Sequence, residues 1–224
     1  MKPRVIVHNS ISLDGSFVGF EPDIRMHYKI AAGFKAQVHL VGSGTAKKGI
    51  ELYGGASDEE EGDFIRPKRD KSYPYFVIPD SRGILHGILH MMRRSEYCRD
   101  VIVLVSEKTP KKYLEYLKKR DYDYHIIGKV KVDLRKALEM LNKDYHVNTV
   151  MVDSGKILVD HLLDEDLVDE LSLLIHPVVV GKLSDNLFAL LDKRDNLSLI
   201  RSKVIENKEF HSKYILTHYR IDNL

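Results

Sequence analysis

Four short turns of small residues follow apolar, strand-like segments of this sequence. They are Gly42-Ser43-Gly44-Thr45, Ser106 after Val105, Gly128 after Ile127, and Ser154-Gly155 after Val152-Asp153. In parallel sheets, ligands bind beyond the carboxyl ends of the strands, and small residues there let backbone N–H groups approach a phosphate. Any single turn of this kind is explained as well by the backbone preferences of glycine and serine. As a set, the four turns favour a bound dinucleotide.

The first strand-like segment carries several polar side chains among Val, Ile and Leu. Asn9 and Ser12 stand close to Asp14-Gly15, which is a turn signal. Such groups can offer hydrogen bonds to the edge of a heterocycle that lies beside the strand. An edge strand that ends in an ordinary Asp-Gly turn explains the same residues equally well.

The motifs of several enzyme classes are absent from the sequence. It contains no HExxH, GxxxxGK[ST] or GxSxG, and no GxGxxG that opens a helix. Of eleven histidines, only His86 and His90 have helical spacing, and they are separated by Gly87 with no neighbouring Glu to act as a base. We therefore expect structural or solvated histidines and no bound metal.

Composition limits the partners of the chain. With 35 Lys+Arg against 33 Asp+Glu, the formal charge is +2 in 224 residues, which does not favour nucleic acid as a partner. The longest aliphatic run, Val101 to Val105, is far shorter than the ~20 residues that span a bilayer, so we expect no membrane segment. The only cysteine, Cys98, cannot form an internal disulfide, which fits a reducing cytoplasm.

Strands and helices alternate along most of the chain. The predicted strands are Val5 to Ile11, Val38 to Val41, Tyr75 to Ile78, Val101 to Val105, Tyr124 to Ile127, Thr149 to Val152 and Leu171 to Ile175. The predicted helices are Ile24 to Phe34 with Asp23 as cap, Pro110 to Arg120, Asp133 to Lys143 with Asp133 as cap, and a short helix around Leu158 to Leu163. This order predicts an α/β fold whose mostly parallel, mixed sheet is flanked by helices.

Two segments depart from that alternation. Leu197 to Ile205 and Phe210 to Ile221, around Asn207-Lys208, predict a closing antiparallel hairpin. Residues 54–74 carry charges of both signs with little apolar periodicity, which is typical of a solvated surface loop rather than an interaction arm. No Pro/Gly/Ser linker divides the chain, so residues 1–224 are expected to form a single domain.

Seven short segments stand in a fixed order between about residues 4 and 190. They are Ser12-Leu13-Asp14-Gly15, His27-Tyr28, Val41-Gly42-Ser43-Gly44-Thr45, Val77-Ile78-Pro79-Asp80, Val152-Asp153-Ser154-Gly155, Leu167-Val168-Asp169-Glu170-Leu171, and Ile175-His176-Pro177-Val178-Val179-Val180-Gly181. In their order and separation they resemble the riboflavin-biosynthesis reductase domain family. The resemblance implies a dihydrofolate-reductase-like fold and the use of NADPH.

The resemblance also implies a reaction, in which the ribosyl group of a pyrimidine 5′-phosphate is reduced to a ribityl chain. The implied substrate is a pyrimidine or pterin-like compound, such as 2,5-diamino-6-ribosylamino-pyrimidinone 5′-phosphate or 5-amino-6-(5-phosphoribosylamino)uracil. Because these reductase domains commonly pair, it implies a homodimer as well.

Roles of single residues follow from the resemblance. The cofactor's phosphates are expected near Gly42, Gly44, Thr45, Ser154 and Gly155, and its adenosine end near Ser106 and Lys108, with Gly128 in the same set of turns. Lys108 would favour the 2′-phosphate of NADPH. Asn9, Ser12 and Asp14 are expected to line the nicotinamide and substrate side. Asp14 is the candidate for proton delivery, on the condition that desolvation raises its pKa.

The sequence also departs from the family pattern. Gly49 stands where the family has an acid, and Lys156 replaces a second glycine after Gly155, so that its side chain either meets a phosphate or blocks the cofactor. Four basic residues are alternatives for binding the substrate phosphate: Arg25, Lys29, Arg66 and Lys68. Two other functions stay open, a non-catalytic nucleotide-binding protein and a metal-dependent hydrolase that uses the histidines.

Overall fold

A computed structural model describes residues 1–54, 57–207 and 212–222. Its contacts divide the chain into two compact units. The first unit comprises Met1–Pro3 and Gln37–Asn148, and the second comprises Arg4–Ala36 and Thr149–Leu224. The expectation of a single domain stays a prediction.

The described residues alternate between strands and helices, as the sequence predicts. The strands are β1 (Arg4–Ser12), β2 (Val38–Leu40), β3 (Tyr75–Pro79), β4 (Val101–Val105), β5 (Asp123–Ile126), β6 (Thr149–Val152), β7 (Glu170–His176), β8 (Leu197–Asn207) and β9 (Ser212–Ile221). The helices are α1 (Ile24–Ala32), α2 (Ser43–Gly49), α3 (Leu89–Arg93), α4 (Lys111–Lys119), α5 (Leu134–Tyr145) and α6 (Lys156–Asp164). None of the helices in these described ranges combines the length and apolar character needed to cross a bilayer.

The first unit is built on four parallel strands in the order β5-β4-β3-β2. All five residues of β4 are buried, which is expected of an inner parallel strand that helices cover on both faces. Because the strands are parallel, the turns that follow them lie at one edge of the sheet of the first unit. Gly42 follows β2 and Ser106 follows β4, two strand spacings or ~10 Å apart.

The second unit has a mixed sheet in the order β6-β1-β7-β9-β8. Strand β1 pairs in parallel with β6 and β7, whereas β9 pairs antiparallel with both β7 and β8. The predicted C-terminal antiparallel pair is therefore confirmed, although the segment 208–211 between its strands lies outside the described residues. The mostly parallel α/β fold is confirmed as well.

Local signals placed several boundaries correctly. Asp23 caps α1 by accepting a hydrogen bond from the N–H of Met26, and Asp133 caps α5 in the same way through Lys136. The turn that begins at Gly42 was taken for a glycine-rich loop, and that was wrong. Gly42 is the N-cap of α2, so Gly44 and Thr45 lie in a helical turn.

The histidine pair with helical spacing does not lie on one helix. His90 belongs to α3, but His86 precedes it, and Gly87 between them has a φ of +83°. The His86 ring packs on Tyr116 with ring centres 4.5 Å apart, and His90 Nε2 lies 2.9 Å from the carbonyl oxygen of Ser57. Both contacts agree with the structural role that the sequence analysis expected.

Most residues of the charged segment 57–74 are exposed, as its composition predicts, but two of its acidic side chains bind other parts of the first unit. Glu59 accepts hydrogen bonds from the Tyr116 hydroxyl and the Arg120 guanidinium, at 2.8 Å each. Asp63 is buried and accepts two bonds from Arg94. These two residues therefore attach the segment to the ends of α3 and α4.

Arg93 is the buried centre of this arrangement, with a side chain only 3% exposed. Its Nε donates to Asp100 Oδ1 at 2.9 Å. Its terminal nitrogens donate to the backbone oxygens of Asp63, Arg120 and Asp121 at 2.8–2.9 Å. A guanidinium can be buried here because its donors meet one carboxylate and three carbonyls.

We predict that Arg93→Met lowers the free energy of unfolding by about 3–5 kcal/mol, because it leaves the Asp100 carboxylate buried without its partner. Urea denaturation measures the change. The control is Lys136→Met, which removes an exposed ion pair with Asp133 and should cost less than about 1 kcal/mol. Equal losses in the two variants would contradict the role assigned to Arg93.

Candidate functional site

The carboxyl ends of β6, β1 and β7 form one edge of the second unit. The last residue of β6, Val152, pairs with Val7, so β1 runs five residues beyond its neighbour. This overhang places Asn9 beside the turn that follows β6, where its Nδ2 donates to the Ser154 carbonyl at 3.0 Å. The register of β1 and β6 thus brings two predicted site residues together.

Asn9 also presents an acceptor without a partner. The residue is 6% exposed, and its Oδ1 accepts no hydrogen bond within the described ranges. A buried acceptor that lacks a donor costs about 1–3 kcal/mol. A ligand N–H or O–H group at this position would remove that cost, which supports the expectation that Asn9 faces a ligand.

A chain of polar groups runs from β1 through α1 to the turn after β6. Ser10 Oγ lies 3.2 Å from His27 Nδ1, and His27 Nε2 lies 3.3 Å from Asp153 Oδ2. The Tyr28 hydroxyl donates to the same Oδ2 at 3.2 Å. His27 is buried, whereas the Asp153 side chain is 26% exposed. The chain therefore ends on a carboxylate that a ligand can reach.

Asp153 is held in its ionised form. Burial by itself would raise the pKa of this carboxyl group, but the nearby imidazoles, His27 first, and the hydrogen bond from Tyr28 outweigh it. The pKa of Asp153 is therefore lowered. An ionised carboxylate accepts hydrogen bonds and attracts positive charge, so this position suits a ligand rich in N–H and O–H donors.

A second buried imidazole, that of His8, packs against the His27 ring. His8 lies fully buried on β1, with its ring 4.4 Å from the His27 ring. Its Nδ1 is 3.0 Å from Ser172 Oγ and its Nε2 is 3.3 Å from the His27 carbonyl. Burial, with a smaller contribution from His27, lowers the pKa of His8 to about 3, so the ring is neutral at physiological pH.

Asp14 is surrounded by hydrogen-bond donors that stabilise its ionised form, whereas proton delivery requires a carboxyl group that holds its proton. Its carboxylate accepts from Ser12 Oγ at 2.6 Å and from the N–H groups of Val180 and Gly181 at 3.1 and 2.8 Å. The Ser12 hydrogen bond, followed by these backbone bonds, lowers the pKa of Asp14 to about 2. The condition on which Asp14 would deliver a proton, a raised pKa, is therefore not met. Ser12 and Asp14 instead join the end of β1 to the loop after β7.

Helix α6 starts immediately after the Asp153 turn. Gly155 is its N-cap, makes no side-chain cap bond, and is followed by a first turn without acidic residues. Lys156 does not extend away from the protein, because its Nζ lies 2.5 Å from Asp185 Oδ1. The start of α6 fits an anion, with the charge of Lys156 already paired.

In the first unit, the turns after β4 and β5 are joined. The N–H groups of Glu107 and Lys108 donate to the carbonyls of Gly128 and Lys129 at 3.0 and 3.2 Å, and Ser106 Oγ donates to Val130. Ser106 is buried and Lys108 is exposed. These three predicted site residues, Ser106, Lys108 and Gly128, therefore lie together.

Gly128 has a structural requirement of its own. Its φ is +99°, and a Cβ at this position would lie 2.2 Å from the Lys131 carbonyl oxygen. A side chain is therefore excluded by the backbone alone. Gly44 differs, because a Cβ there would meet nothing within 4 Å. Gly44 lies in the exposed first turn of α2, a turn that has no acidic residue and no side-chain cap bond at Gly42.

The basic candidates for a substrate phosphate separate into two groups. Arg25 and Lys29 are exposed on α1, the helix that carries His27 and Tyr28. Arg66 lies in the first unit and donates to both oxygens of Asp123 at 2.9 and 2.6 Å. Its charge is neutralised, which makes it a poor phosphate ligand.

The sequence analysis did not identify Asp153 or His27 as site residues, although both stand in the segments that carry the family resemblance. In the structure His27 and Ala31 are the buried residues of α1, so a histidine four positions before a buried alanine was the available signal. No group of three or more His, Cys, Asp or Glu side chains suited to a metal occurs within the described part of the chain.

Comparisons with known proteins agree with this architecture. Residues 3–209 match the model of the RibD C-terminal domain. A 2,5-diamino-6-ribosylamino-4(3H)-pyrimidinone 5′-phosphate reductase from Archaeoglobus fulgidus is 27% identical over 197 residues, which cover 81% of this chain and 83% of that protein.

Solved structures show the same fold. A pyrimidine reductase-like protein from Corynebacterium diphtheriae superposes with a TM-score of 0.72 at 17% identity, covering 99% of this chain and 93% of that chain. A dihydrofolate reductase from Enterococcus faecalis, solved with NADP(H), gives a TM-score of 0.52 at 10% identity and covers 98% and 97% of the two chains. The expected dihydrofolate-reductase-like fold is confirmed.

We predict that His8 makes the protein less stable in mild acid. The unfolded chain binds a proton at His8 below pH ~6.5, while the folded chain does so only below about 3, so stability falls as the pH drops between these values. From pH 7.5 to 5, this residue should account for a loss of about 2 kcal/mol.

The measurement is urea unfolding of the wild type and His8→Gln at both pH values. The variant should lose less stability than the wild type by about that 2 kcal/mol. The exposed His161→Gln serves as control and should follow the wild type. An unchanged difference between the two pH values in His8→Gln would refute the prediction.

Proposed function

We propose a function for this chain from one premise: it belongs to the RibD C-terminal domain family. The chain is an oxidoreductase of the riboflavin-biosynthesis reductase type. Its substrate, in our proposal, is 2,5-diamino-6-ribosylamino-4(3H)-pyrimidinone 5′-phosphate, which the Archaeoglobus fulgidus relative is named for. The closely related 5-amino-6-(5-phosphoribosylamino)uracil is the alternative substrate. The observation that carries the proposal is the pair of acceptors at the end of β6 and β1.

These acceptors match the chemistry of such a substrate. A diaminopyrimidine with a ribosylamino group offers amine N–H and ribose O–H donors, and it needs acceptors in a protein site. Asp153 supplies an ionised carboxylate, and Asn9 supplies a buried carbonyl oxygen that has no donor within the described residues. We propose that both residues contact the substrate, with Ser12 at the same edge. Arg25 and Lys29 on the exposed side of α1 are proposed to attract its phosphate.

We propose NADPH as the cofactor, which when bound supplies the hydride for the reduction. The residues present fit its phosphates in two places. The first turn of α2 and the Ser154-Gly155 turn that leads into α6 consist of small residues, and the first turns of both helices lack acidic side chains and side-chain caps. Such helix starts favour anions. The residues assigned to the cofactor are Gly42, Gly44, Thr45, Ser106, Lys108, Gly128, Ser154 and Gly155. Lys108 is exposed and is assigned to the 2′-phosphate.

The remaining residues orient the ligands and hold charge. Asp153 would bind donors of the substrate and stabilise positive charge that develops on its ribosylamine carbon. Asp14, with a pKa of about 2, stays ionised, and in this proposal it orders the loop at Val180 and Gly181 rather than delivering a proton. Lys156 is left out of the cofactor set because Asp185 pairs with it.

The setting of the protein is part of the proposal. We propose a homodimer, by analogy with related reductase domains, and a single domain formed by the whole chain. We also propose a cytoplasmic location, because the lone Cys98 is buried with its pKa raised to about 12 by desolvation and can form no internal disulfide. Light scattering that finds only a 26 kDa species would reject the dimer.

A non-catalytic nucleotide-binding protein is the second candidate. It is favoured by Gly49, which supplies no acid on α2, and by the Lys156–Asp185 pair at the start of α6. This candidate binds NADPH without oxidising it. Absorbance at 340 nm in the presence of the pyrimidine substrate distinguishes the two candidates.

We predict that NADPH stabilises the protein against heat. A ligand at a hundredfold excess over its Kd, bound only to the folded state, adds about 2.7 kcal/mol of stability. A thermal-shift titration with NADPH and NADH measures it, and NADPH should give the larger shift. Absence of a shift with either cofactor would reject the reductase and the nucleotide-binding candidate together.

We predict that Gly44→Leu abolishes the NADPH shift. The matched control is Gly62→Leu in the segment before α3, because a Cβ at either glycine meets nothing within 4 Å of the protein itself. Both variants should fold, and a loss that is confined to Gly44→Leu reports steric exclusion of the cofactor. The same effect in both variants would mean that Gly44 does not lie at the cofactor site.

A further inference from the structure

Two buried imidazoles lie between α1 and the sheet of the second unit, where apolar packing would be expected. His27 is 5% exposed and His8 is fully buried. Their ring centres are 4.4 Å apart, and the ring planes are inclined by 30°. Polar side chains in such a position reduce the apolar contact between helix and sheet, which calls for a functional explanation.

We propose that His27 is a positioning residue for Asp153: it holds one oxygen of the carboxylate so that the other faces the substrate. The proposal rests on the function proposed above. It adds a residue that reaches no ligand itself and acts only through Asp153.

The contacts of its two ring nitrogens define the orientation of the His27 imidazole. Nδ1 lies 3.2 Å from Ser10 Oγ, and Nε2 lies 3.3 Å from Asp153 Oδ2. When the Ser10 hydroxyl donates to Nδ1, the proton of a neutral ring lies on Nε2, which has no hydrogen-bond partner within the described residues and faces the Asp153 carboxylate at 3.3 Å. Ser10 thereby selects the tautomer of His27 that binds Asp153.

The backbone of His27 is fixed as well. Its carbonyl oxygen is 3.3 Å from His8 Nε2, and His8 Nδ1 contacts Ser172 on β7. Asp23, the N-cap of α1, begins the helix four residues earlier. Three elements, β1, β7 and the start of α1, therefore locate the ring before any ligand arrives, so little reorganisation is needed on binding.

The groups around Asp153 come from two elements. From α1 they are His27 and the Tyr28 hydroxyl, and from β1 the nearest titratable group is His8. His176 lies near His27 at the end of β7, and burial lowers its pKa to about 4, so it adds no positive charge at neutral pH. Tyr28 is half-exposed and binds the same Oδ2 as His27. His27 is therefore the buried partner and Tyr28 the solvent-facing one.

The test measures the pKa of Asp153 in ligand-free protein, by ¹³C NMR of labelled aspartate carboxyl groups, with Asp153→Asn to assign the signal. In His27→Leu the pKa should increase by about one unit or more, because an apolar side chain replaces the imidazole N–H that faces the carboxylate. In His27→Gln the increase should be smaller, since the amide retains an N–H donor. The exposed His161→Leu should leave the value unchanged.

Turnover supplies the second measurement. In His27→Leu, kcat/KM for the pyrimidine substrate should fall at least tenfold at neutral pH. The acidic limb of its pH profile should move upward with the Asp153 pKa, and His27→Gln should recover part of the loss. A purely structural role would lower the amount of folded enzyme without moving the pH profile.

The proposal is overturned if the Asp153 pKa is the same in folded His27→Leu as in the wild type, or if kcat/KM changes less than twofold. If His27→Leu does not fold, Ser10→Ala takes its place and should raise the same pKa by a smaller amount. A constant value in Ser10→Ala then rejects the proposal. A wild type that reduces no pyrimidine contradicts the proposed function, whereas the NMR titration of the free protein still decides the role of His27.

Discussion

The largely buried, ionised carboxylate of Asp153, just after β6, determines which side chains the neighbouring elements of the second unit must supply. Asp153 is largely withdrawn from water, and burial alone would favour its neutral form. His8 on β1 and His27 on α1 offset the cost of burying the charge. For this reason the buried face of α1 carries an imidazole where an aliphatic side chain would otherwise pack. The overhang of β1 beyond β6 then places the unpartnered oxygen of Asn9 at the same edge.

The first unit also contains a buried charge whose burial is compensated by polar partners, but there the charge stabilises the fold and binds no ligand. Arg93 occupies a site that is closed to solvent, and its donors are used by Asp100 and by three backbone carbonyls. Three charged residues of segment 57–74 pair with residues at helix or strand ends, namely Glu59, Asp63 and Arg66, while Lys68 and Lys71 stay exposed. Charges that are consumed in this way are not available for a ligand, which is why Arg66 carries no role in the site.

Much of the fold follows from local sequence. The strands were predicted because buried parallel strands are short, continuous runs of Val, Ile and Leu, and α1 and α5 because an aspartate cap precedes an amphipathic pattern. Helix α2 was missed because glycine and serine at Gly42-Ser43-Gly44 have low helix propensity, and only packing in the fold compensates for it. The ionic contacts of Glu59 and Asp63 could not be predicted because their partners are separated from them by about 30 to 60 residues in sequence.

The sequence by itself determined the class of fold, the order of its elements and the set of small-residue turns that end the strands, because these depend on neighbouring residues and on side-chain period. Only the tertiary structure decided which polar residues act together. Ser10, His27 and Asp153 are distant in sequence, and strand register and the packing of α1 bring them into one chain of polar contacts. The pairing of β1 with β7 brings Val180 and Gly181 to Asp14, whose pKa is held low first by the Ser12 hydroxyl and then by these two backbone donors. Ionisation depends on burial and on partners in space, and neither can be read from a residue's neighbours in sequence.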